Sequence, residues 1–224
     1  MFDVVFISYK EPSRQKRFNH LKKRIPFIKH VRGIKGIHNA HIKAAQLCDT
    51  KMFYVIDGDA DLLDTFDFDE NFKYNFEVSY DTVYVWQSIN PINDLIYGYG
   101  GVKLLPKELV LKMNKNSEDM TTSISDNFCV VDQISNITCF NTDPFSTWRS
   151  AFRECAKLAS KTIERQVKNE TDERLQTWTT VGHDRPFGEY ALAGATAGME
   201  FGLSRGSDIG LINDFDWLKE KFNG

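Results

Sequence analysis

The segment richest in chemistry is Val55-Ile56-Asp57-Gly58-Asp59-Ala60-Asp61, where acidic residues leave an apolar run directly. Carboxylates this close repel one another, and at the tip of a buried strand they are partly desolvated, so the arrangement asks for a compensating cation. A hard divalent ion, Mn²⁺ or Mg²⁺, meets that need, taking carboxylate oxygens while keeping positions for water and substrate phosphates. A solvated acidic turn is the plain alternative. Further on, Trp86-Gln87-Ser88-Ile89-Asn90-Pro91 precedes Tyr97-Gly98-Tyr99-Gly100-Gly101-Val102. An aromatic beside glycines suits a sugar, because ring faces stack on its C–H surface and bare backbone comes close enough to hydrogen-bond; a turn with a packed Trp86 competes with that reading. His183 lies in Gly182-His183-Asp184-Arg185-Pro186-Phe187-Gly188, flanked by glycines that would admit a ligand, though a loop histidine also stands well as plain surface.

These residues need elements to hold them. Asp3 to Tyr9 reads as a buried strand, and Ser13 is placed to cap a basic helix running to about Arg24 before Pro26. Phe27 to Val31 is a second strand, a helix spans about His38 to Cys48, and Met52 to Ile56 is a third strand. This βαβαβ alternation predicts an α/β fold with a mixed, mostly parallel sheet flanked by helices, whose ligands bind outside the strands' carboxyl ends. Those ends are Ser8-Tyr9, Arg32 to Gly36 and Asp57-Gly58-Asp59. Strands follow near Thr82 to Gln87, Gly101 to Leu105, Phe128 to Val131 and Asn136 to Phe140, with a short helix after Pro106. Beyond Asp143-Pro144 the pattern turns helical: Phe145 to about Lys168, Asp172 to Thr177, Phe187 to about Met199 and Phe215 to Phe222. The expectation is one catalytic domain over 1–224 whose C-terminal portion, 145–224, is helical.

Composition excludes several classes. With 224 residues, 42% hydrophobic and 13% aromatic, the chain can bury a large core, so it is neither disordered nor fibrous. No apolar run approaches the ~20 residues a bilayer crossing needs, no signal peptide is visible, and no membrane partner is expected. Cys48, Cys129, Cys139 and Cys155 form no CxxC pair and read as free thiols in a reducing, cytoplasmic compartment. A net charge of -3 offers no whole-chain case for nucleic acid. The local block Arg14, Lys16, Arg17, Lys22, Lys23, Arg24, Lys29, His30 and Arg32 permits phosphate contacts, or is a solvated helix face.

Ser8-Tyr9, then Gly36-Ile37-His38-Asn39 through Ala44-Ala45, then Phe53-Tyr54-Val55-Ile56-Asp57-Gly58-Asp59 together resemble the nucleotide-sugar-binding half of a GT-A glycosyltransferase. The resemblance implies a Rossmann-like GT-A fold, with 1–61 holding the donor and 80–144 forming the acceptor half. Asp57-Gly58-Asp59 takes the place of the family's DxD motif, whose Mn²⁺ or Mg²⁺ bridges the diphosphate of a UDP-sugar. By the same resemblance Ser8, Tyr9, Arg32, Lys35, Asp57 and Gly58 bind the donor, and Asp57, Asp59 and His183 hold the metal. Trp86, Tyr99, Gly100 and Gly101 line the sugar and acceptor. Asp143 matches the general base of inverting members, while Asp before Pro is equally a helix cap, and both roles stay open. His38 and His41 precede the metal strand on a helix, facing the donor or packing.

Phe145 to Cys155, Pro186 to Ala195 and Tyr97 to Pro106 are similar to small glycosyltransferases of T-even-like bacteriophages. That likeness implies a 5-hydroxymethylcytosine acceptor in double-stranded DNA and a UDP-linked arabinose or glucose donor, in host cytoplasm. A transferase for a surface glycan or lipid-linked sugar is the alternative, as is a sugar nucleotidyltransferase, although Ser8-Tyr9-Lys10-Glu11-Pro12 lacks the glycine-rich phosphate loop usual in the latter.

Overall fold

The structure, a computed structural model, describes residues 1–68, 78–98, 100–115, 119–161, 166–204 and 206–224. It divides into two compact units: Met1–Ile89 with Ile96–Thr138, and Asn90–Leu95 with Cys139–Gly224.

The first unit carries strands β1 (Asp3–Ser8), β2 (Lys29–Arg32), β3 (Met52–Asp57), β4 (Ala60–Leu62), β5 (Thr82–Ile89), β6 (Ile96–Tyr97), β7 (Val102–Pro106) and β8 (Asn127–Thr138). Its helices are α1 (Arg14–Arg24), α2 (Ile37–Leu47) and α3 (Lys107–Lys112). The eight strands form one sheet in the order β2-β1-β3-β7-β5-β8-β4, with β6 beside β5. β1, β2, β3, β5 and β8 run one way; β4, β6 and β7 run the other. This is the expected mixed, mostly parallel sheet of a Rossmann-like GT-A fold.

Burial on both faces explains why β1 and β3 are nearly all β-branched or aromatic. Alternation sends Val4, Phe6, Tyr54, Ile56 and Leu104 to one face, where Leu21 of α1 covers them. Val5, Phe53, Val55 and Leu105 point to the other, against Ala40, Ala44 and Ala45 of α2 and Val110 of α3. Helices on both faces, as the alternation predicts, leave the strand ends as the open part of the unit.

Several local expectations are corrected. Ser13 does not cap α1: it sits in the left-handed region (φ 63) and its side chain makes no capping bond. The first turn is closed instead by the Arg17 N–H on the Ser13 carbonyl (3.0 Å) and the Arg17 guanidinium on the Pro12 carbonyl (3.0 Å). The strands placed at 128–131 and 136–140 are one strand, β8, whose register slips opposite Trp86, Gln87 and Ser88; such an irregularity looks like a break in period. β4 and β6, three and two residues long, carry too little pattern to be seen.

In the second unit the expected long helix ends early. α4 (Pro144–Ser160) stops at Lys161, a left-handed cap (φ 59), and α5 (Lys168–Thr180) begins anew. α6 (Gly188–Ser204) follows, then a 3₁₀ turn (Gly206–Asn213) and α7 (Phe215–Asn223). Gly194, Gly198 and Gly202 let α6 lie directly on α4. A Cβ at these positions would come within 2.3, 2.2 and 2.5 Å of the carbonyls of Trp148, Phe152 and Ala156. Trp148, Phe152, Ile209, Ile212 and Leu218 complete this core.

No helix among the described residues is long and apolar enough to cross a membrane. The four cysteines are free; Cys48 and Cys155 are buried, and burial pushes the Cys48 thiol up to about 12.

Candidate functional site

β1 and β3 are parallel neighbours, so their carboxyl ends lie side by side, with Ile7 opposite Asp57 and Ser8 opposite Arg32 of β2. β7 runs antiparallel to β3 and begins where β3 ends, with Val102 opposite Ile56. The Asp57 N–H donates to the Gly101 carbonyl (2.9 Å), joining the acidic tip to the glycine pair. Asp57, Gly58, Asp59, Gly100 and Gly101, separated by more than forty residues of sequence, thereby become neighbours.

Two residues that sequence reasoning missed complete this arrangement. Lys103, 2% exposed, donates from Nζ to Asp57 Oδ2 at 2.7 Å and also to the Gly100 carbonyl. Its signal was available: a lysine inside Val102-Lys103-Leu104-Leu105 must bury its ammonium, and a buried ammonium needs an anion. The other is Glu11. Its Oε2 accepts the Tyr9 N–H (2.7 Å), and a Cβ on Gly58 would lie 2.7 Å from that same oxygen. Glycine at 58 is therefore what lets the Glu11 carboxylate approach the Asp57-Gly58-Asp59 turn.

Charge at this turn is unbalanced. Burial pushes the Asp57 carboxyl up, against the pull of Lys103. Burial also pushes Asp59 up, to about 6, and the negative charges of Asp57 and Glu11 add to it. No cationic side chain pairs with Asp59 among the described residues. Asp61 lies outside this group, bound by the Arg17 guanidinium, which also reaches the Gly58 carbonyl (3.4 Å) and so braces the turn.

The turn fits a hard cation of a particular kind. No three His, Cys, Asp or Glu side chains among the described residues converge enough to cage a metal. Mg²⁺ commonly needs no such cage, taking one or two carboxylates and completing its shell from phosphates and water. Asp59 and the second oxygen of Asp57 are donors of that type.

The remaining expected residues are distributed as follows. Ser8 is buried and its hydroxyl bonds the His30 ring (2.9 Å), so its side chain is turned into the fold rather than to a ligand. Tyr9 is exposed, with the Lys10 ammonium 5.3 Å from its ring centre. Arg32 and Lys35 are exposed, and the loop between them is tied to β1 by the Gly33 N–H on the Ser8 carbonyl (2.8 Å). Tyr99 lies outside the described residues. Trp86 requires correction: it is 0% exposed between Tyr54 and Phe66 (ring centres 5.6 and 5.8 Å), so it has no face to offer a sugar. His41 is packed in the core with Nδ1 on the Ile37 carbonyl (2.8 Å), and burial pushes its imidazole down to about 3, keeping it neutral.

His183 and Asp143 belong to the second unit. His183 is exposed, but its flanking glycines do not clear space for a ligand. A Cβ on Gly182 would strike the Ile92 carbonyl (2.3 Å), and one on Gly188 the Gly182 carbonyl (1.8 Å). Asp143 caps α4: Oδ1 accepts the Ser146 N–H (2.8 Å), and Oδ2 accepts the hydroxyls of Ser146 (2.6 Å) and Thr142 (3.2 Å). Burial would raise its carboxyl, but these bonds outweigh it and hold the group below the usual range. Of the basic block, Arg17 holds Asp61, and Arg24 clamps the carbonyls of Leu63 (3.1 Å) and Phe66 (2.9 Å). Lys16, Lys22 and Lys23 are exposed.

No family model matches the chain, and no curated protein matches it. Among solved structures it is similar to HddC from Yersinia pseudotuberculosis, at 13% identity and a TM-score of 0.42 over 60% of this chain and 92% of that one. HddC complexed with GMP-PN gives 12% and 0.37, covering 60% and 90%. S. aureus TarS 1-349 gives 9% and 0.39, covering 99% of this chain and 91% of that one. With TM-scores below 0.5, these likenesses carry nothing about the chemistry of this chain.

Proposed function

We propose that the chain is a metal-dependent glycosyltransferase that moves a sugar from a UDP-sugar, such as UDP-arabinose or UDP-glucose, to a hydroxyl acceptor. The observation that carries this reading is the Asp57-Gly58-Asp59 turn at the carboxyl end of a central GT-A-type strand, with Asp59 unmatched by any side-chain cation among the described residues. Ligands of open α/β sheets bind at such strand ends.

The chain's own residues divide the work. Asp59 and Asp57 would hold Mn²⁺ or Mg²⁺, which when bound supplies positive charge to the departing diphosphate. Arg32 and Lys35, exposed beyond β2, are cations on hand for the same phosphates. Gly100 and Gly101 are buried with their carbonyls held by Lys103 and the Asp57 N–H, so they serve the site by fixing Asp57 rather than by touching the sugar. Asp143 is read as a helix cap, since a carboxylate already accepting three hydrogen bonds is a weak base. The acceptor we propose, a 5-hydroxymethylcytosine hydroxyl in DNA, is supported by the bacteriophage resemblance and by exposed Lys16, Lys22 and Lys23.

Mass spectrometry of hydroxymethylated DNA after incubation with the protein, Mn²⁺ and a panel of UDP-sugars tests this. The expected result is a pentose or hexose increment with one donor, abolished by EDTA and by Asp59→Asn. Absence of both an increment and UDP release with every donor would count against the reading.

A further inference from the structure

We infer that Lys103 is a positioning residue for the divalent cation: it occupies one oxygen of Asp57 and directs the ion to Asp59 and the incoming diphosphate. This rests on the glycosyltransferase reading above. Lys103 is the one buried lysine or arginine among the described residues. Its neighbours on β7 are apolar, and a leucine would fill the position without the desolvation cost of an ammonium. What the ammonium adds is specific. It binds Asp57 Oδ2 at 2.7 Å, it fixes the Gly100 carbonyl, and its stem lies under Gly100, whose Cβ position is 3.7 Å from Lys103 Cδ.

Two consequences follow from that geometry. One of the two oxygens of Asp57 is committed, so the protein offers a cation an incomplete set of ligands. A positive charge also stands beside the carboxylates of Asp57 and Asp59, opposing any cation that arrives alone. A diphosphate brings the missing oxygens and the missing negative charge together. Lys103 therefore opposes an ion that arrives alone and leaves the diphosphate to complete the ion's shell beside Asp59.

Calorimetric titration of the full chain with Mn²⁺ alone, and then with Mn²⁺ in the presence of UDP, tests this on Lys103→Gln, Lys103→Met and Lys103→Arg. Gln is one bond shorter but keeps an uncharged N–H donor directed along the same path, so it reports even if Met at this buried position fails to fold. The neutral variants are expected to bind Mn²⁺ alone about tenfold tighter than wild type, while Arg stays near wild type. A residue that merely pinned the loop would give weaker Mn²⁺ binding on removal. Unchanged or weaker binding in the folded neutral variants overturns the inference. Asp59→Asn separates the two levels: if it abolishes Mn²⁺–UDP binding while the Lys103 variants show no tightening, only the role of Lys103 fails. If Asp59→Asn binds as wild type does, the metal site and this inference fall together.

Discussion

Asp59→Asn should stabilise the protein in the absence of metal. The Asp59 carboxyl is pushed from 3.8 to about 6, first by burial and then by the charges of Asp57 and Glu11. Between those values the folded chain holds a proton that the unfolded chain has released, so stability falls as pH rises from about 4 to about 6, and the loss persists above that. Two pH units correspond to about 3 kcal/mol for a fully desolvated group; for the partly exposed Asp59, about 1–3 kcal/mol applies. Asparagine is close in shape and uncharged, so it removes the penalty. Urea unfolding at pH 7.5 should show the variant more stable by that amount, and the difference should shrink to a few tenths of a kcal/mol near pH 3.5, where Asp59 is protonated in the folded state and mostly protonated in the unfolded one. Mn²⁺ with UDP should raise the stability of wild type and leave the variant unmoved. A variant no more stable than wild type at pH 7.5, or an advantage undiminished at pH 3.5, refutes the reasoning.

Gly101→Ala would place a Cβ 2.5 Å from Asn136 Nδ2, and Asn136 is held by the hydroxyls of Ser88 and Ser135 (2.8 Å each). Overpacking and disturbed hydrogen bonds should cost about 2–4 kcal/mol in denaturant unfolding, and UDP affinity should fall because Asp57 is tied to the Gly101 carbonyl. Asp3→Asn should cost about 2 kcal/mol at pH 7. Burial resists ionisation of Asp3, but Lys29 and the N–H groups of Thr50 and Asp49 outweigh it and lower the carboxyl from 3.8 to about 2. That stability is present above pH 4 and disappears as pH falls to 2, which unfolding against pH will read. Asp143→Ala should lose about 1 kcal/mol through its cap; transfer activity per folded molecule should survive, and its loss would restore the base role.

The fold was legible where pattern and burial agree. β1, β3 and α2 lie within a residue or two of their expected bounds because both faces of the sheet are buried and α2 buries Ala40, Ala44 and Ala45 at helical spacing. Asp57, Gly58 and Asp59 stood out for a related reason, as the abrupt end of an apolar strand. What failed depended on tertiary context. Trp86 resembles a sugar platform in sequence, but it points to the sheet face that Tyr54, Phe66 and Phe68 cover. Glu11 and Lys103 reach the acidic turn only because β1, β3 and β7 adjoin, a pairing no local window encodes. The glycines around His183 read as an opening, whereas Gly182 and Gly188 admit backbone of the same chain, as Gly194, Gly198 and Gly202 do along α6.

Anomalous diffraction from crystals grown with Mn²⁺ and UDP offers the most direct test of the central claim. We expect a manganese peak within bonding distance of the Asp59 carboxylate, with diphosphate oxygens completing its shell and Lys103 still on Asp57. A nucleotide bound without manganese at Asp59, or no nucleotide at the carboxyl ends of β1 and β3, would contradict it.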